Sequence, residues 1–350
     1  MWPANKKIRV MVIDDSMLAR KMIADGISRS PRIEVVGTAF NAQDALAKVP
    51  QLRPDVITSD VEMPGMSGID FLKKLLPKYP LPVILVSSLN LRVFDALNAG
   101  AVDFVRKPAP GRNAAFIKAL TVKVISAAGA KVRRAPAAAV QQAGGGVLTA
   151  PPRLGAKPGR DRVIIGLGAS TGGSEATLEV LKRLPADIPG MLIVQHMPTG
   201  FTQMYAERLN RLCAMEVREA KTGDEVRRGL ALLAPADNQM RIVRSGTRYT
   251  VACTQGEKVS GHRPSVYALF FSMAEQVRCR MVGIIMTGMG RDGADGLLQM
   301  RKAGAYTIGQ DKESCVVYGM PMVAQNIGAV QIQASCENIA SVLLRQLNTL

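Results

Sequence analysis

Short apolar runs alternating with helix-patterned segments constrain this chain more than any other feature. The runs Ile8–Ile13, Ile33–Val36, Asp55–Thr58, Pro82–Val86 and Ala101–Val105 read as strands. Between them lie stretches such as Met17–Ser28 and Gly68–Leu76, whose apolar residues recur three and four positions apart, the spacing of a helix with one buried face. Strands and helices that alternate with short links form an open parallel sheet covered on both faces. The first segment is therefore expected to be a five-stranded, flavodoxin-like parallel unit.

The same alternation restarts after residue 161. Strands are expected at Val163–Gly168, Met191–Gln195 and Met281–Met286, with two short ones near 305–309 and 329–333. Helices are expected near 173–184, 201–212 and 336–348, with a helix, strand and helix through 264–304. Between 216 and 253 the period shortens, and Arg241–Val251 predicts a β-hairpin turning at Ser245-Gly246. This second unit reads as a doubly wound, mostly parallel α/β domain with a hairpin. Between the two patterns, 127–160 is rich in Ala, Gly and Pro and has no sustained period, as a linker would. The expected organisation is a domain at 6–126, a linker at 127–160 and a second domain at 161–350. A chain of 350 residues suits two such cores.

Composition excludes several classes. With 47% apolar residues the chain is not disordered. No apolar run approaches the roughly 18 residues of a membrane span, and the N-terminus enters a strand without a signal-peptide core. The 5 cysteines are scattered and form no Cys-x-x-Cys pair, which favours free thiols in a reducing cytoplasm. Net charge is +17, and its densest stretch is the linker, with 6 Lys/Arg and no Asp/Glu over 127–160. A nucleic-acid surface is one reading of that excess. A solvated tether, in a basic protein whose partners are acidic, is the simpler one.

Two constellations carry chemistry. In the first unit Asp14 and Asp15 close the first strand, Asp60 lies just past the third, Ser87 is at the fourth and Lys107 at the fifth. All five belong at the carboxyl edge of one sheet. Three carboxylates converging there would repel one another unless a hard divalent cation with oxygen ligands lay between them, and Mg²⁺ fits. The lysine would meet a phosphoryl oxygen, and Ser87 would donate a hydroxyl.

In the second unit Ser170, His196 and Asp292 each follow an apolar run, so each is expected at the carboxyl edge where parallel sheets place active sites. A serine hydroxyl needs an adjacent base to become nucleophilic, histidine titrates near working pH, and a carboxylate behind the ring fixes its tautomer. The turn Thr287-Gly-Met289-Gly is glycine-flanked and suited to presenting backbone N–H donors to an oxyanion. These residues suggest a serine hydrolase. Gly166-Leu-Gly168-Ala-Ser170-Thr-Gly172 also resembles a dinucleotide-binding turn, but the next strand ends in Gln195-His196 where a carboxylate would hold the ribose. The order Ser, His, Asp excludes the α/β-hydrolase fold despite its Gly-x-Ser-x-Gly elbow. His262, the other histidine, lacks a strand-end placement and is expected to be structural or substrate-side.

Residues 6–126 resemble a response-regulator receiver domain through Asp14-Asp15-Ser16, Asp60-Val-Glu62-Met-Pro-Gly and Lys107-Pro108. That resemblance implies Asp60 as phospho-acceptor. It also implies Mg²⁺ on Asp15, Asp60 and the Glu62 backbone carbonyl, with Asp14 supporting, and Ser87 and Phe104 as switch positions. Residues 161–350 resemble the catalytic domain of chemotaxis protein-glutamate methylesterases. The matching stretches are Ile165-Gly-Leu-Gly-Ala-Ser170-Thr-Gly-Gly, Gln195-His196-Met-Pro, His262-Arg-Pro-Ser-Val, Met286-Thr-Gly-Met-Gly-Arg-Asp292-Gly-Ala and Gln310 to Pro321. The resemblance implies Ser170, His196 and Asp292 as the triad and the Met289 N–H in the oxyanion hole. It further implies hydrolysis of glutamyl methyl esters on chemoreceptor cytoplasmic domains, an association with glutamine deamidation, and a chemotaxis histidine kinase as phosphodonor. A non-catalytic binding module behind a receiver is the alternative. Ser174, Tyr267 and Gln239 depart from the residues the family commonly has, namely proline, an acidic residue and histidine. Those departures bear on substrate affinity and deamidation rather than on the triad.

Overall fold

The computed structural model describes residues 2–3, 5–87, 92–108, 112–132, 154 and 163–349. Most of the expected linker lies outside these residues. The chain divides into two units, 1–144 and 145–350.

The first unit runs β1 (Ile8–Ile13), α1 (Met17–Ile27), β2 (Ile33–Ala39), α2 (Ala42–Leu52), β3 (Val56–Asp60), α3 (Gly68–Leu75), β4 (Val83–Ser87), α4 (Arg92–Asn98), β5 (Asp103–Arg106) and α5 (Asn113–Ala127). The strands pair in the order β2-β1-β3-β4-β5, all parallel, which is the expected flavodoxin-like sheet. β3 and β4 are buried throughout; β4 is an apolar run closed by Ser87, while β3 turns polar over its last three residues, Thr58, Ser59 and Asp60. Helix starts follow from local chemistry: the side chains of Ser16, Asn41 and Ser67 accept the N–H groups of Ala19, Asp44 and Asp70 at 3.3, 2.8 and 3.2 Å. The sequence placed Asp60 just past β3. It is instead the strand's last residue, and its ladder position opposite Val86 fixes where its carboxyl emerges.

The second unit runs β6 (Val163–Ala169), α6 (Gly173–Leu181), β7 (Met191–Gln195), α7 (Phe201–Leu212), β8 (Glu216–Glu219), β9 (Leu230–Leu233), β10 (Gln239–Ser245), β11 (Arg248–Thr254), α8 (Val266–Gln276), β12 (Arg280–Ile285), α9 (Ala294–Lys302), β13 (Tyr306–Gln310), α10 (Met320–Asn326), β14 (Ile332–Ala334) and α11 (Ile339–Thr349). Seven strands form one sheet in the order β14-β13-β12-β6-β7-β9-β8, each neighbouring pair parallel. From β6 the chain builds outward through β7 and then returns to the other side of β6 as β12. The strand order therefore reverses at β6/β12, the kind of point where parallel sheets open a crevice at their carboxyl ends.

β8, β9 and α10 were not foreseen. β8 is a short edge strand of charged residues around one buried valine, and β9 is four apolar residues with no alternation to identify it. α10 carries Pro321 in its first turn, where proline is tolerated but reads as a break. The hairpin β10–β11 forms its own two-stranded sheet and turns at Gly246-Thr247, one residue later than expected.

The glycines of β6 serve packing. A Cβ on Gly168 would lie 2.2 Å from Val266 Cγ1, and one on Gly166 would lie 2.7 Å from Met273 Sδ. They let α8 press directly onto the central strand, with Leu269, Phe270 and Met273 fully buried beneath it. This contact accounts for the dinucleotide-like glycine pattern without any phosphate.

Candidate active site

The crevice at the strand reversal gathers three side chains from three adjacent strands. Ser170 follows β6, His196 follows β7 and Asp292 lies beyond β12. Ser170 Oγ stands 3.1 Å from His196 Nδ1, and His196 Nε2 stands 2.9 Å from Asp292 Oδ2. With the ring proton on Nε2, Nδ1 is left free to accept the serine proton. The ring thus faces the serine with the opposite nitrogen from the usual template, which is chemically equivalent as long as the carboxylate holds the other N–H. Ser170 does not cap α6: Gly172 occupies the cap position, and no side chain caps that helix.

Asp292 is 3% exposed and receives three hydrogen bonds besides that of His196. Ser265 Oγ donates to Oδ1 at 2.7 Å, the Val266 amide to Oδ2 at 2.8 Å and the Tyr267 amide to Oδ1 at 3.1 Å. These donors form the first turn of α8, so the carboxylate rests on a helix N-terminus that favours negative charge. Burial alone would raise its pKa. The hydrogen bond and charge of His196, then Ser265 and the Val266 amide, outweigh burial and hold it below the usual carboxylate value. A carboxylate held this way stays ionised and orients the ring.

The backbone around Ser170 is equally constrained. Gln195, buried at the end of β7, donates from Nε2 to the carbonyls of Ser170 at 2.8 Å and His196 at 3.3 Å. The Ser170 N–H is taken by the Thr287 carbonyl at 2.9 Å. The turn 287–290 passes so close that a Cβ on Gly288 would lie 2.7 Å from Ser170 Cβ. Within that turn the Thr287 N–H is bound by Gln310 Oε1 at 2.8 Å and the Gly288 N–H by the Val317 carbonyl at 3.0 Å. Among the described residues the Met289 N–H has no such acceptor, and Met289 is 38% exposed. Of the four amides the sequence offered, those of Thr287 and Gly288 are taken, which leaves the outer half of the turn, Met289 included, available to an oxyanion.

Several contributors escaped the sequence. Gln239, a departure expected to bear on substrate affinity, is fully buried and structural. Its Oε1 accepts the Ser265 N–H at 2.9 Å and its Nε2 donates to the carbonyls of Glu257 and His262. Tyr267 stacks on Phe271 with centroids 5.4 Å apart, while its amide, which no side-chain reading could reveal, serves Asp292. His262 lies flat on His196, ring centroids 3.9 Å apart at 10°.

In the first unit Asp14, Asp15 and Asp60 bring carboxylate oxygens within 4.8 Å of one another. Lys107 pairs with Asp60 and stands 3.2 Å from Asp14 Oδ2, an ion-pair distance without hydrogen-bond geometry. Burial raises the Asp60 pKa, Lys107 opposes that rise and Asp14 adds to it, with a net upward shift. Burial also acts to lower Lys107, but Asp60 and Asp14 outweigh it and raise its pKa. Asp14 Oδ2 and Ser87 Oγ are buried without hydrogen-bond partners among the described residues. The Glu62 amide donates to Asp60 Oδ1 at 3.2 Å, which sets residue 62 at the rim. Phe104 is buried edge-on to Phe94. Orphaned acceptors among crowded carboxylates suit a hard divalent cation, and the cluster could bind a metal.

A Ser–His–Asp chain at the reversal of a parallel sheet, behind an acidic pocket on a 2-1-3-4-5 sheet, defines a hydrolase-type unit joined to a receiver-type unit. The family model for CheB methylesterase matches residues 165–343, and that for the response regulator receiver domain matches residues 10–119. A protein-glutamate methylesterase/protein-glutamine glutaminase 2 of Syntrophomonas wolfei is 50% identical over 350 residues, covering 99% of each chain. The protein-glutamate methylesterase/protein-glutamine glutaminase of Syntrophotalea carbinolica is 47% identical over 345 residues, covering 96% of each. Among solved structures, the CheB methylesterase catalytic domain of Thermotoga maritima aligns with TM-score 0.51 and 32% identity, over 52% of this chain and 97% of that one. The chain belongs to the CheB methylesterase family, with a response regulator receiver domain ahead of its methylesterase domain.

Proposed function

We propose that this protein is a phosphorylation-activated protein-glutamate methylesterase that removes methyl groups from glutamyl esters on the cytoplasmic domains of chemoreceptors. The observation that carries this reading is the hydrogen-bonded chain from Ser170 through His196 to Asp292. Ser170 Oγ attacks the ester carbonyl while His196 Nδ1 takes its proton, and the Met289 N–H receives the developing oxyanion. The tetrahedral intermediate collapses as the imidazolium returns that proton to the methoxy oxygen, releasing methanol and leaving a glutamyl ester on Ser170. Water, deprotonated by the same nitrogen, then frees the glutamate. Glutamine would follow the same path with ammonia as leaving group, so deamidation belongs to the same site.

Asp60 is the phospho-acceptor in this reading, with a chemotaxis histidine kinase as donor in the cytoplasm. Asp15, Asp60 and the Glu62 carbonyl, with Asp14 in support, would hold Mg²⁺, which offsets the negative charge gathered there. Lys107 and Ser87 then meet the phosphoryl oxygens, and Phe104 repacks as the Ser87 loop moves. A domain at 6–126 so controls one at 161–350 through a tether at 127–160. In this reading phosphorylation of Asp60 raises the activity of the esterase. A non-catalytic or nucleic-acid-binding module is not favoured, since it has no use for a carboxylate with four donors aligned behind a histidine.

The test is methanol release from a methylated receptor cytoplasmic fragment, with and without a small-molecule phosphodonor. Turnover should rise with the phosphodonor, vanish in Ser170→Ala, and stay at the basal rate in Asp60→Asn whatever the donor. Stimulation of Asp60→Asn equal to that of the parent would overturn the assignment of the acceptor.

A further inference from the structure

The stack between the two histidines is not among the hydrogen bonds that link Ser170, His196 and Asp292, yet the loop that carries it is built with care. Val259 and His262 exchange both backbone hydrogen bonds, at 3.0 and 2.9 Å, across a turn whose central residues Ser260 and Gly261 have φ of 52° and 80°. Two left-handed residues in succession make a type I′ turn, the two-residue return of a β-hairpin. Gln239 Nε2 fixes the His262 carbonyl from the hairpin side at 3.0 Å, and Arg263 Nε ties the next residue to Asp237 at 2.9 Å. These bonds are made by the backbone of His262 and Val259 and by the side chain of Arg263, not by the His262 ring. They position the imidazole without depending on it.

That imidazole faces His196, whose own contacts explain what the stack adds. Both hydrogen bonds of His196 lie at its ring edge, to Ser170 Oγ and to Asp292 Oδ2, so they set the ring's direction and leave it free to tip about the line joining the two partners. A flat surface at 3.9 Å and 10° removes that freedom on one side. It also replaces water against the face of a ring that becomes an imidazolium at each proton transfer, and an aromatic face attracts a cation.

We propose that His262 is a positioning residue of the esterase. Its ring, stacked on His196, holds the base in the plane shared by Ser170 and Asp292 and shields the imidazolium from solvent. The inference rests on the hydrolase reading of Ser170 and His196. It assigns His262 to the flat face of its ring and requires no proton transfer from it. Loss of the stack lets the acceptor nitrogen drift by a fraction of an ångström, and misplacement on that scale lowers the rate of the chemical step rather than binding.

Three replacements in the full-length protein separate the possibilities: His262→Phe keeps a flat aromatic ring, His262→Leu fills similar space without one, and His262→Ala removes the surface. Each is assayed for kcat and KM on the methylated receptor fragment, for the rate of labelling by a fluorophosphonate, and for Tm. His262→Ala and His262→Leu should lose kcat and labelling rate by about ten- to a hundred-fold, with KM within about two-fold and Tm little changed. His262→Phe should recover to within about three-fold of the parent. Should His262→Ala fail to fold, the comparison of Leu with Phe decides. Equal losses in Phe and Leu, full activity in Leu, or an effect confined to KM would each overturn the proposal. A parent protein that is neither labelled nor active would instead overturn the hydrolase reading beneath it.

Discussion

Replacing Asp292 by asparagine keeps the shape of the side chain and removes its charge, and the surrounding donors determine which way the new amide turns. Oδ2 meets His196 Nε2 and the Val266 amide, while Oδ1 meets Ser265 Oγ and the Tyr267 amide. An asparagine NH₂ in the Oδ2 position would face two N–H groups and force the histidine proton onto Nδ1, which could then accept nothing from Ser170. In the Oδ1 position it faces one N–H and one hydroxyl, and the Ser265 hydroxyl can rotate to accept. The second orientation is favoured, so the tautomer survives and the defect is chiefly electrostatic. With an effective dielectric of about 20, a unit charge about 4 Å from an imidazolium contributes on the order of 4 kcal/mol. That corresponds to about a thousand-fold in kcat. The orphaned Tyr267 amide adds a stability loss of about 1–3 kcal/mol. Steady-state methanol release would give kcat and KM, and thermal denaturation the second quantity. A loss in kcat of less than about ten-fold with a normal fold would refute the role given to this carboxylate.

Three further outcomes are expected from the geometry. Asp60→Asn should raise the Tm of the receiver in metal-free buffer, because burial raises the Asp60 pKa. A raised carboxyl pKa favours the native state most below the unfolded value of 3.8 and loses that benefit as pH rises through the folded value, so the gain should be present at pH 7 and disappear near pH 3; equal Tm values at pH 7 would count against it. Gly168→Ala should destabilise the second unit by about 1–3 kcal/mol and lower kcat as well, since its Cβ would meet Val266 beside the donors of Asp292; denaturant titration and methanol release would show both. Burial pushes the Cys213 thiol up to about 11 and Cys253 up to about 12, so iodoacetamide at pH 8 should modify neither in the native protein within minutes and both after denaturation.

The Ser–His–Asp chain was legible because its residues follow apolar strands, and a parallel sheet gathers the loops after its strands at one edge. The receiver pocket was legible for the same reason. What supports each site was not. The Gln239 side chain binds the backbone at Ser265 and His262, and the first turn of α8 offers its own amides; these groups meet only when α8 packs on β6, and no periodicity reports that contact. His262 sits on a turn between two loops, where pattern has nothing to say about direction. The β6 glycines were visible but ambiguous, since close helix packing and phosphate binding both demand a missing Cβ. The short strands β8 and β9 carry too few residues to show a period. Their place is settled by pairing, β9 on β7 and β8 on β9, rather than by their own sequence.

The central claim is that Ser170 is an activated nucleophile, and covalent capture tests it most directly. The full-length protein is treated with a fluorophosphonate, digested and mapped by mass spectrometry, alongside Ser170→Ala, His196→Ala and Asp292→Asn. One adduct per chain should appear on the peptide carrying Ser170, be absent in Ser170→Ala, and form more slowly in the other two in proportion to their loss of methanol release. An adduct on a different residue, or near-parent turnover by Ser170→Ala, would contradict the account.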